Sequence, residues 1–265
     1  MVTRPHRLKE YLASLNLPGE LRLPWVHSTS ASNLIDIIAD GKLLATPCNV
    51  FRQDKLCYFF VGRPAYKMKP TENPSTWQLP VAFVVRFEKP PPIKRIFPFD
   101  SGAFHERRLP DYITMFKMDG YNLAGNPDLI GRLVSFYFKS ADRYFHRRPA
   151  GEEEIKEQHN LDMRHAEIMA LSRLFHERSS PECDDRAAAI ELQIEQDIEI
   201  RQDNLLGIVM PTEYSRVPGL MQSITGITKN VETYDHYPLG LGHHFAFLYE
   251  RVKAIYKLAG INIES

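Results

Sequence analysis

At 265 residues, with 43% hydrophobic and 25% charged side chains, the chain has the composition of a globular protein able to bury a substantial core. Lys plus Arg balance Asp plus Glu at 33 each, which excludes the global basic field that advertises nucleic-acid or membrane binding. The three cysteines, Cys48, Cys57 and Cys183, show no metal-ligand spacing, no apolar run reaches membrane-spanning length, and charged residues follow Met1, so a reducing, cytoplasmic setting without membrane or metal is expected.

Arg7 to Leu17 carries the spacing of a short amphipathic helix, stopped by Pro18-Gly19. Leu23 to His27 reads as a brief strand. The hydroxyls of Ser28, Thr29 and Ser30 then supply caps for a helix whose apolar positions Leu34, Ile35, Ile37 and Ile38 run to Gly41. His27 is thereby expected at a strand end, immediately before a helix N-terminus. Leu56 to Val61 has strand length and composition, and Gly62 and Pro64 break it with Arg63 on the turn between them. Tyr58 on the strand and Tyr66 past the turn are placed to approach each other across the bend. Two such rings flanking a guanidinium suit a flat cationic ring joined to phosphates: the rings stack, and the guanidinium makes bidentate hydrogen bonds. A core strand with a tyrosine at each end is the plainer reading of the same residues.

Val81 to Phe87 is a buried strand that Pro90-Pro-Pro92 prevents from continuing, and Ile93 to Phe97 is another, leading into the turn Pro98–Gly102. Asp128 to Phe138 and Glu152 to Glu177 are expected as helices, the second acidic at its start and basic later, as the helix dipole favours. In Ala189 to Ile200, Ile190, Leu192, Ile194, Ile198 and Ile200 alternate with Glu191, Gln193, Glu195, Asp197 and Glu199. That period of two predicts a strand with one buried face and one acidic face. Leu205 to Met210 follows as its hairpin partner through Asp203-Asn204, and Phe245 to Ala259 closes the chain as an amphipathic helix capped by Gly260. The pattern predicts a single α+β domain over residues 1–265 with a largely antiparallel or split sheet, surrounding helices and a helical insertion at about 103–182. No Gly-rich phosphate loop follows any strand.

Three separated pieces carry a family resemblance: His27-Ser-Thr29, the stretch Tyr58-Phe-Phe-Val-Gly-Arg-Pro-Ala-Tyr66, and a Glu on the late strand. Together they resemble the His–Tyr–Glu triad of diphtheria-toxin-like and PARP-like ADP-ribosyltransferases. The Arg–Pro turn between two aromatic residues looks most like DarT-type toxins. So does the opening Trp25-Val-His-Ser-Thr29 with the helix Asn33–Ile38 and Gly41-Lys-Leu43. The likeness covers residues 24–67 well and 186–211 loosely.

The resemblance implies an ADP-ribosyltransferase-like split antiparallel core with NAD as substrate and no metal. His27, with Ser28 and Thr29 beside it, would hydrogen-bond a ribose hydroxyl of NAD, and Tyr58 and Tyr66 would sandwich the nicotinamide. Arg63 and Arg52 are the candidates for the pyrophosphate. The late Glu would hold the ribose 2′-hydroxyl and stabilise the oxocarbenium-like charge that grows as the nicotinamide bond breaks. Glu191 stands where this family places that residue, just after Asp185-Arg186, and is preferred. Glu195, in Gln193-Ile-Glu195, resembles the Gln-x-Glu element of arginine- or nucleoside-modifying relatives, and period two would put Glu191, Gln193 and Glu195 on one face. Glu167, in Asp162-Met-Arg-His-Ala-Glu167, is a third candidate because a similar string occurs in DarT-like proteins. The solvated face of an edge strand is the plain alternative for the acidic row.

The implied activity is mono-ADP-ribosyl transfer to a macromolecular acceptor, nucleic acid or protein, by a bacterial toxin or phage-defence effector with a neutralising antitoxin as partner. The alternatives are an NAD glycohydrolase of the same fold and a non-catalytic module that binds a nucleotide or a protein. An RNA 2′-phosphotransferase would want several Arg near His27, where few stand. Asp235, His236, His243 and His244 cluster but fit no zinc spacing. His105, His146 and Arg147-Arg148 form a basic patch that the neutral overall charge supports little.

Overall fold

The computed structural model describes residues 6–65, 71–177 and 185–263. They form a mixed α+β structure with a mostly antiparallel sheet. In chain order α1 (Leu8–Ser14) precedes β1 (Trp25–Ser30), α2 (Leu34–Asp40), β2 (Lys42–Leu43), β3 (Thr46–Pro47) and β4 (Lys55–Val61). After β5 (Pro80–Val85) and β6 (Arg95–Phe97) come six helices: α3 (Ser101–His105), α4 (Asp111–Thr114), α5 (Asp128–Phe138), α6 (Ala141–Phe145), α7 (Glu152–Gln158) and α8 (Ala166–His176). The chain returns through β7 (Glu191–Ile194), β8 (Ile198–Glu199), β9 (Leu205–Pro211), α9 (Leu220–Ile227) and β10 (Val231–Tyr234) to α10 (Leu241–Leu258). These elements fall into two compact units. A sheet unit comprises Leu23–Pro92 and Gln193–Ile263, and a helical unit comprises Ile93–Leu192 with the N-terminal residues up to Arg22.

In the sheet unit the strand order is β10-β9-β5-β1-β4, with β3 also pairing β4. β1 is antiparallel to both β4 and β5, β5 is antiparallel to β9, and β10 alone runs parallel to its neighbour. β5 has neighbours on both sides and is buried at every position, as its unbroken apolar run requires. α10 packs on β5, β9 and β10 through Leu248, Val252, Ile255 and Tyr256, spaced three and four residues apart and fully buried. Each fully buried apolar side chain of this size contributes about 1.5–3 kcal/mol. The helix carries the expected Phe245–Ala259 segment, starts four residues earlier, and ends before Gly260 at φ +71°.

Two expectations for this unit fail. β1 does not stop at His27: Ser28, Thr29 and Ser30 remain in the ladder opposite Ala82, Val81 and Pro80, so His27 is a mid-strand residue opposite Phe83. The helical turn begins at Ala31, and none of the three hydroxyls caps it; Thr29 Oγ1 instead accepts from Asn33 Nδ2 at 2.8 Å. Gly41 ends α2 at φ +66°, as its sequence position suggests. Nor do residues 189–200 form one strand that pairs with the next. β7 and β8 are separate, with exposed residues 195–197 between them. β8 pairs β2, while β9 is flanked by β5 and β10. The turn itself forms, with Asn204 Oδ1 accepting from Arg201 N at 2.9 Å and Asn204 Nδ2 donating to Glu199 O at 2.9 Å, but it delivers β9 to a different neighbour. Alternation of residue type predicts a strand and leaves its partner open.

The helical unit holds the expected Asp128–Phe138 helix as α5, which packs on α1 and α6 and buries Leu129, Leu133, Val134 and Tyr137. Arg132 Nη1 from α5 donates to Leu12 O, Ala13 O and Leu15 O, satisfying carbonyls at the end of α1. The expected single helix Glu152–Glu177 is broken. Asn160 takes a left-handed conformation at φ +49°, and Asp162 caps a new 3-10 turn by accepting from Arg164 N at 2.9 Å before α8 begins. An Asn and an Asp two residues apart offer the backbone bonds that compete with a continuous helix. The described part of the segment expected as an insertion, 103–177, lies within this unit.

Candidate functional site

In the sheet unit the antiparallel pairing of β1 and β4 brings His27 to the strand that carries Tyr58. His27 Nδ1 lies 2.8 Å from Tyr58 O. A carbonyl partner requires Nδ1 to carry the proton and donate, which makes Nε2 the acceptor nitrogen of the neutral ring. The imidazole is half-buried, edge-on to Phe59 with centroids 5.7 Å apart. The half-buried Tyr58 donates its hydroxyl to Cys48 Sγ at 2.7 Å, and the same sulfur accepts from Phe51 N at 3.2 Å. Tyr66, the expected second ring, lies outside the described residues. Next to His27, Ser28 Oγ is buried without a hydrogen-bond partner among the described residues.

β4 ends at Gly62, whose φ of +66° and tight setting both call for glycine. An added Cβ would meet Leu23 Cδ1 at 2.7 Å. Gly62 N donates to Pro24 O at 2.7 Å, and Tyr256 from α10 donates to Gly62 O at 2.8 Å, so the turn is fixed on both sides. Arg63 therefore does not project from a surface loop. It is 2% exposed, its Nε donates to Tyr249 on α10 at 3.1 Å, and its guanidinium carbon lies 5.8 Å from that ring's centroid. Arg52 is exposed on the loop between β3 and β4.

The carboxylates separate sharply. On β7 both Glu191 and Gln193 are 0% exposed, so the alternating acidic face expected here is absent: β7 is buried on both faces. Glu195 is exposed, on the turn between β7 and β8. Within the helical unit Ser101 reaches both oxygens of Glu191, its Oγ donating to Oε1 at 2.7 Å and its N to Oε2 at 3.3 Å. Ser101 opens α3 behind the cap residue Asp100, whose Oδ1 accepts from Ala103 N at 2.8 Å and whose own N donates to Arg186 O at 3.0 Å. The residue before Glu191 is anchored as well, Ile190 N donating to Tyr144 OH at 3.0 Å.

Glu167 is also buried, in the first turn of α8, but it is engaged differently: its Oε1 accepts from Arg7. Burial pushes its carboxyl above the usual carboxylate range, and Arg7 opposes that shift. Burial, with the Glu167 charge adding to it, holds the Tyr121 phenol far above its ordinary range.

Ser101 is the residue the sequence pattern did not yield. The Pro98–Gly102 turn was legible as a break, but no local pattern says that the Ser101 hydroxyl reaches a glutamate 90 residues further on. Cys48 was likewise legible only as a cysteine without metal spacing.

Two of the histidines near the C-terminus have structural partners, His236 Nδ1 lying 3.4 Å from Thr76 Oγ1. His244 is fully buried, its Nε2 accepts from Tyr237 N at 3.4 Å and its Nδ1 donates to Gly240 O at 3.3 Å, while burial pulls its pKa down. Among the described residues no group of three or more His, Cys, Asp or Glu side chains is placed to hold a metal ion. No helix among them is long and apolar enough to cross a membrane. An open cavity of about 300 Å³ in the sheet unit, lined by Arg86, Leu205, Thr228, Lys229 and Asn230 among others, contains none of the candidate residues. Compared with protein-family models, curated proteins and solved structures, the chain matches none.

Proposed function

We propose that the chain is an NAD-dependent mono-ADP-ribosyltransferase of the His–Tyr–Glu type, passing ADP-ribose to a nucleic acid or protein acceptor and releasing nicotinamide. The observation that carries the reading is Glu191, a fully buried carboxylate that accepts hydrogen bonds from Ser101 through both oxygens. When the bond between ribose C1′ and the nicotinamide nitrogen breaks, its electron pair leaves with nicotinamide and the ribose acquires oxocarbenium-like charge. A carboxylate already fixed beside that charge stabilises the transition state without having to reorganise. The acceptor oxygen or nitrogen then forms the new bond to C1′ and gives up its proton.

In this reading Tyr58 stacks on the nicotinamide, His27 and Ser28 hydrogen-bond ribose hydroxyls, and Arg63 and Arg52 face the pyrophosphate. Ser28 Oγ, buried without a partner among the described residues, suits such a role. The likeness of residues 24–67 to DarT-type toxins extends the proposal to a cytoplasmic toxin or phage-defence effector with a neutralising partner.

The test is nicotinamide release from NAD by the purified chain, by Glu191→Gln and by Glu195→Gln, each with and without nucleic acid. Release that falls about 10²–10³-fold in Glu191→Gln alone supports the assignment. Stimulation by DNA or RNA names the acceptor, whereas release indifferent to every acceptor makes water the acceptor and the protein an NAD glycohydrolase. No release, together with no NAD binding by calorimetry, overturns the enzyme reading and leaves a binding module.

A further inference from the structure

The cavity in the sheet unit lies where two helices stop. α9 ends at Ile227 and α10 at Leu258, and both ends border an open space of about 300 Å³ at the start of β9. Leu205, Leu206, Ile227 and Ala259 give it an apolar wall, and Arg86 and Lys229 give it two cations. No carboxylate among the described residues lines it. The loop that carries Lys229 is clamped to the sheet. Thr228 Oγ1 and Asn230 Nδ2 both donate to Leu206 O, at 3.3 and 2.7 Å, and Asn230 O accepts from Ile208 N at 3.0 Å. Gly207 lets the loop come this close, since a Cβ there would lie 2.7 Å from Asn230 O. Arg86 is anchored in the same way, its N donating to Asn204 O at 2.8 Å. Both cations are exposed on backbone that is already fixed.

The plain reason for cations here is the helix dipole, because the C-terminal ends of α9 and α10 carry partial negative charge. Each end amounts to about half an elementary charge, so two full positive charges outweigh them and leave the cavity positive. Side-chain acids do not make up the difference. Asp203 and Glu232, close in sequence to the lining residues, are held by Arg201 and Arg251 at 3.4 and 3.5 Å. Arg86 and Lys229 form no ion pair among the described residues, not even Arg86 with Glu88 two residues on.

We propose that this cavity binds the phosphate monoester of a small organic molecule, with Arg86 and Lys229 on the phosphate and the apolar wall against the body of the ligand. A guanidinium forks onto two oxygens of an oxyanion and an ammonium adds a point charge. A phosphate monoester carries close to two negative charges at neutral pH and so matches both cations, where a carboxylate carries one. The space exceeds what a bare phosphate fills and stands at the lower end of the range for small-molecule pockets. The proposal is independent of the transferase reading, since none of that reading's residues lines the cavity.

The experiment titrates phenyl phosphate, which has neither base nor ribose, into the full chain and follows the backbone amides of Thr228 to Asn230 by NMR. Those amides are expected to shift, and the affinity to fall as salt is raised. Arg86→Gln and Lys229→Gln are each expected to weaken binding about tenfold, and the double variant about a hundredfold. Both residues are exposed, so the variants keep the wild-type fold, which the remaining amide signals check. Inorganic phosphate is expected to bind about tenfold more weakly than phenyl phosphate, because it leaves the apolar wall uncovered. AMP is expected to bind more tightly than glucose 6-phosphate, whose body is polar. No shift at Thr228 to Asn230, or an affinity unchanged in the double variant, overturns the proposal. Inorganic phosphate binding as tightly as phenyl phosphate, or glucose 6-phosphate more tightly than AMP, overturns the role given to the apolar wall.

Discussion

The start of β7 and the start of α8 each bury a glutamate in the same unit, against different neighbours. Glu167 faces Arg7, so its charge is met by an opposite charge. Glu191 accepts from a serine hydroxyl through one oxygen and from the same residue's backbone N–H through the other. A buried ion pair is weak grounds for assigning chemistry, since such pairs also arise as structural links. A buried carboxylate fixed in direction is what a reaction that develops positive charge requires. Burial alone does not distinguish the two, and activity of the variants does.

The comparison breaks most easily through activity. Glu191→Gln keeps size and a hydrogen-bonding carbonyl but removes the charge, and nicotinamide release is expected to fall about 10²–10³-fold. Glu167→Gln is expected to leave release within about twofold of wild type. If the two variants exchange these outcomes, the catalytic carboxylate is the one beside Arg7, and the resemblance of Asp162–Glu167 to DarT-like proteins is the informative one.

Stability sharpens the same contrast with a smaller effect. Burial raises the Glu167 carboxyl above its ordinary value of 4.5 by more than Arg7 lowers it. A group whose folded pKa is raised contributes stability that is fully present below the unfolded pKa and is lost as pH rises through the folded one. Wild type is therefore expected to lose some stability relative to Glu167→Gln as pH is raised from about 4.5 toward neutrality, read as a widening gap between melting temperatures. Arg7 is 53% exposed, so solvent screening keeps the contribution of its ion pair small. A gap that narrows with rising pH would mean that Arg7, and not burial, dominates Glu167.

How much of this was legible in the sequence follows from how local each cause is. The all-apolar run of β5, the α5 helix and the Gly41 and Gly62 stops are set by neighbours within a few residues, and the pattern found them. The break between α7 and α8 is local too, but it depends on Asn160 taking a left-handed conformation, which composition permits without requiring. The failed hairpin is a different matter. Residues 201–204 turn as expected, yet whether β9 pairs with what precedes it or with β5 is decided by which buried faces can be covered, a property of the whole sheet. The same limit hid the environment of Glu191 and Gln193. Charged and amide residues alternating with apolar ones imply a wet face only when nothing covers it, and β7 is covered on both faces. The pairing of Ser101 with Glu191 is the least local of all. Of the candidates read from the sequence, His27 and Tyr58 are brought together by the β1–β4 ladder, while Tyr66 falls outside the described residues.

The smallest expected effect is at Glu195, and it is the one that separates strand geometry from sequence period. Counting in twos from Glu191 puts Gln193 and Glu195 on its face, and the Gln193-Ile-Glu195 element invites a catalytic role for the last of them. The strand, however, ends at Ile194, and Glu195 is exposed where its alternating neighbours Glu191 and Gln193 are not. An exposed carboxylate is screened by water and has little preorganised field to offer a transition state. Glu195→Gln is accordingly expected to keep release within about twofold of wild type and to leave the melting temperature unchanged. A loss in Glu195→Gln that matched the loss in Glu191→Gln would show the turn between β7 and β8 closing over the substrate, and would make Glu191 the structural member of the pair.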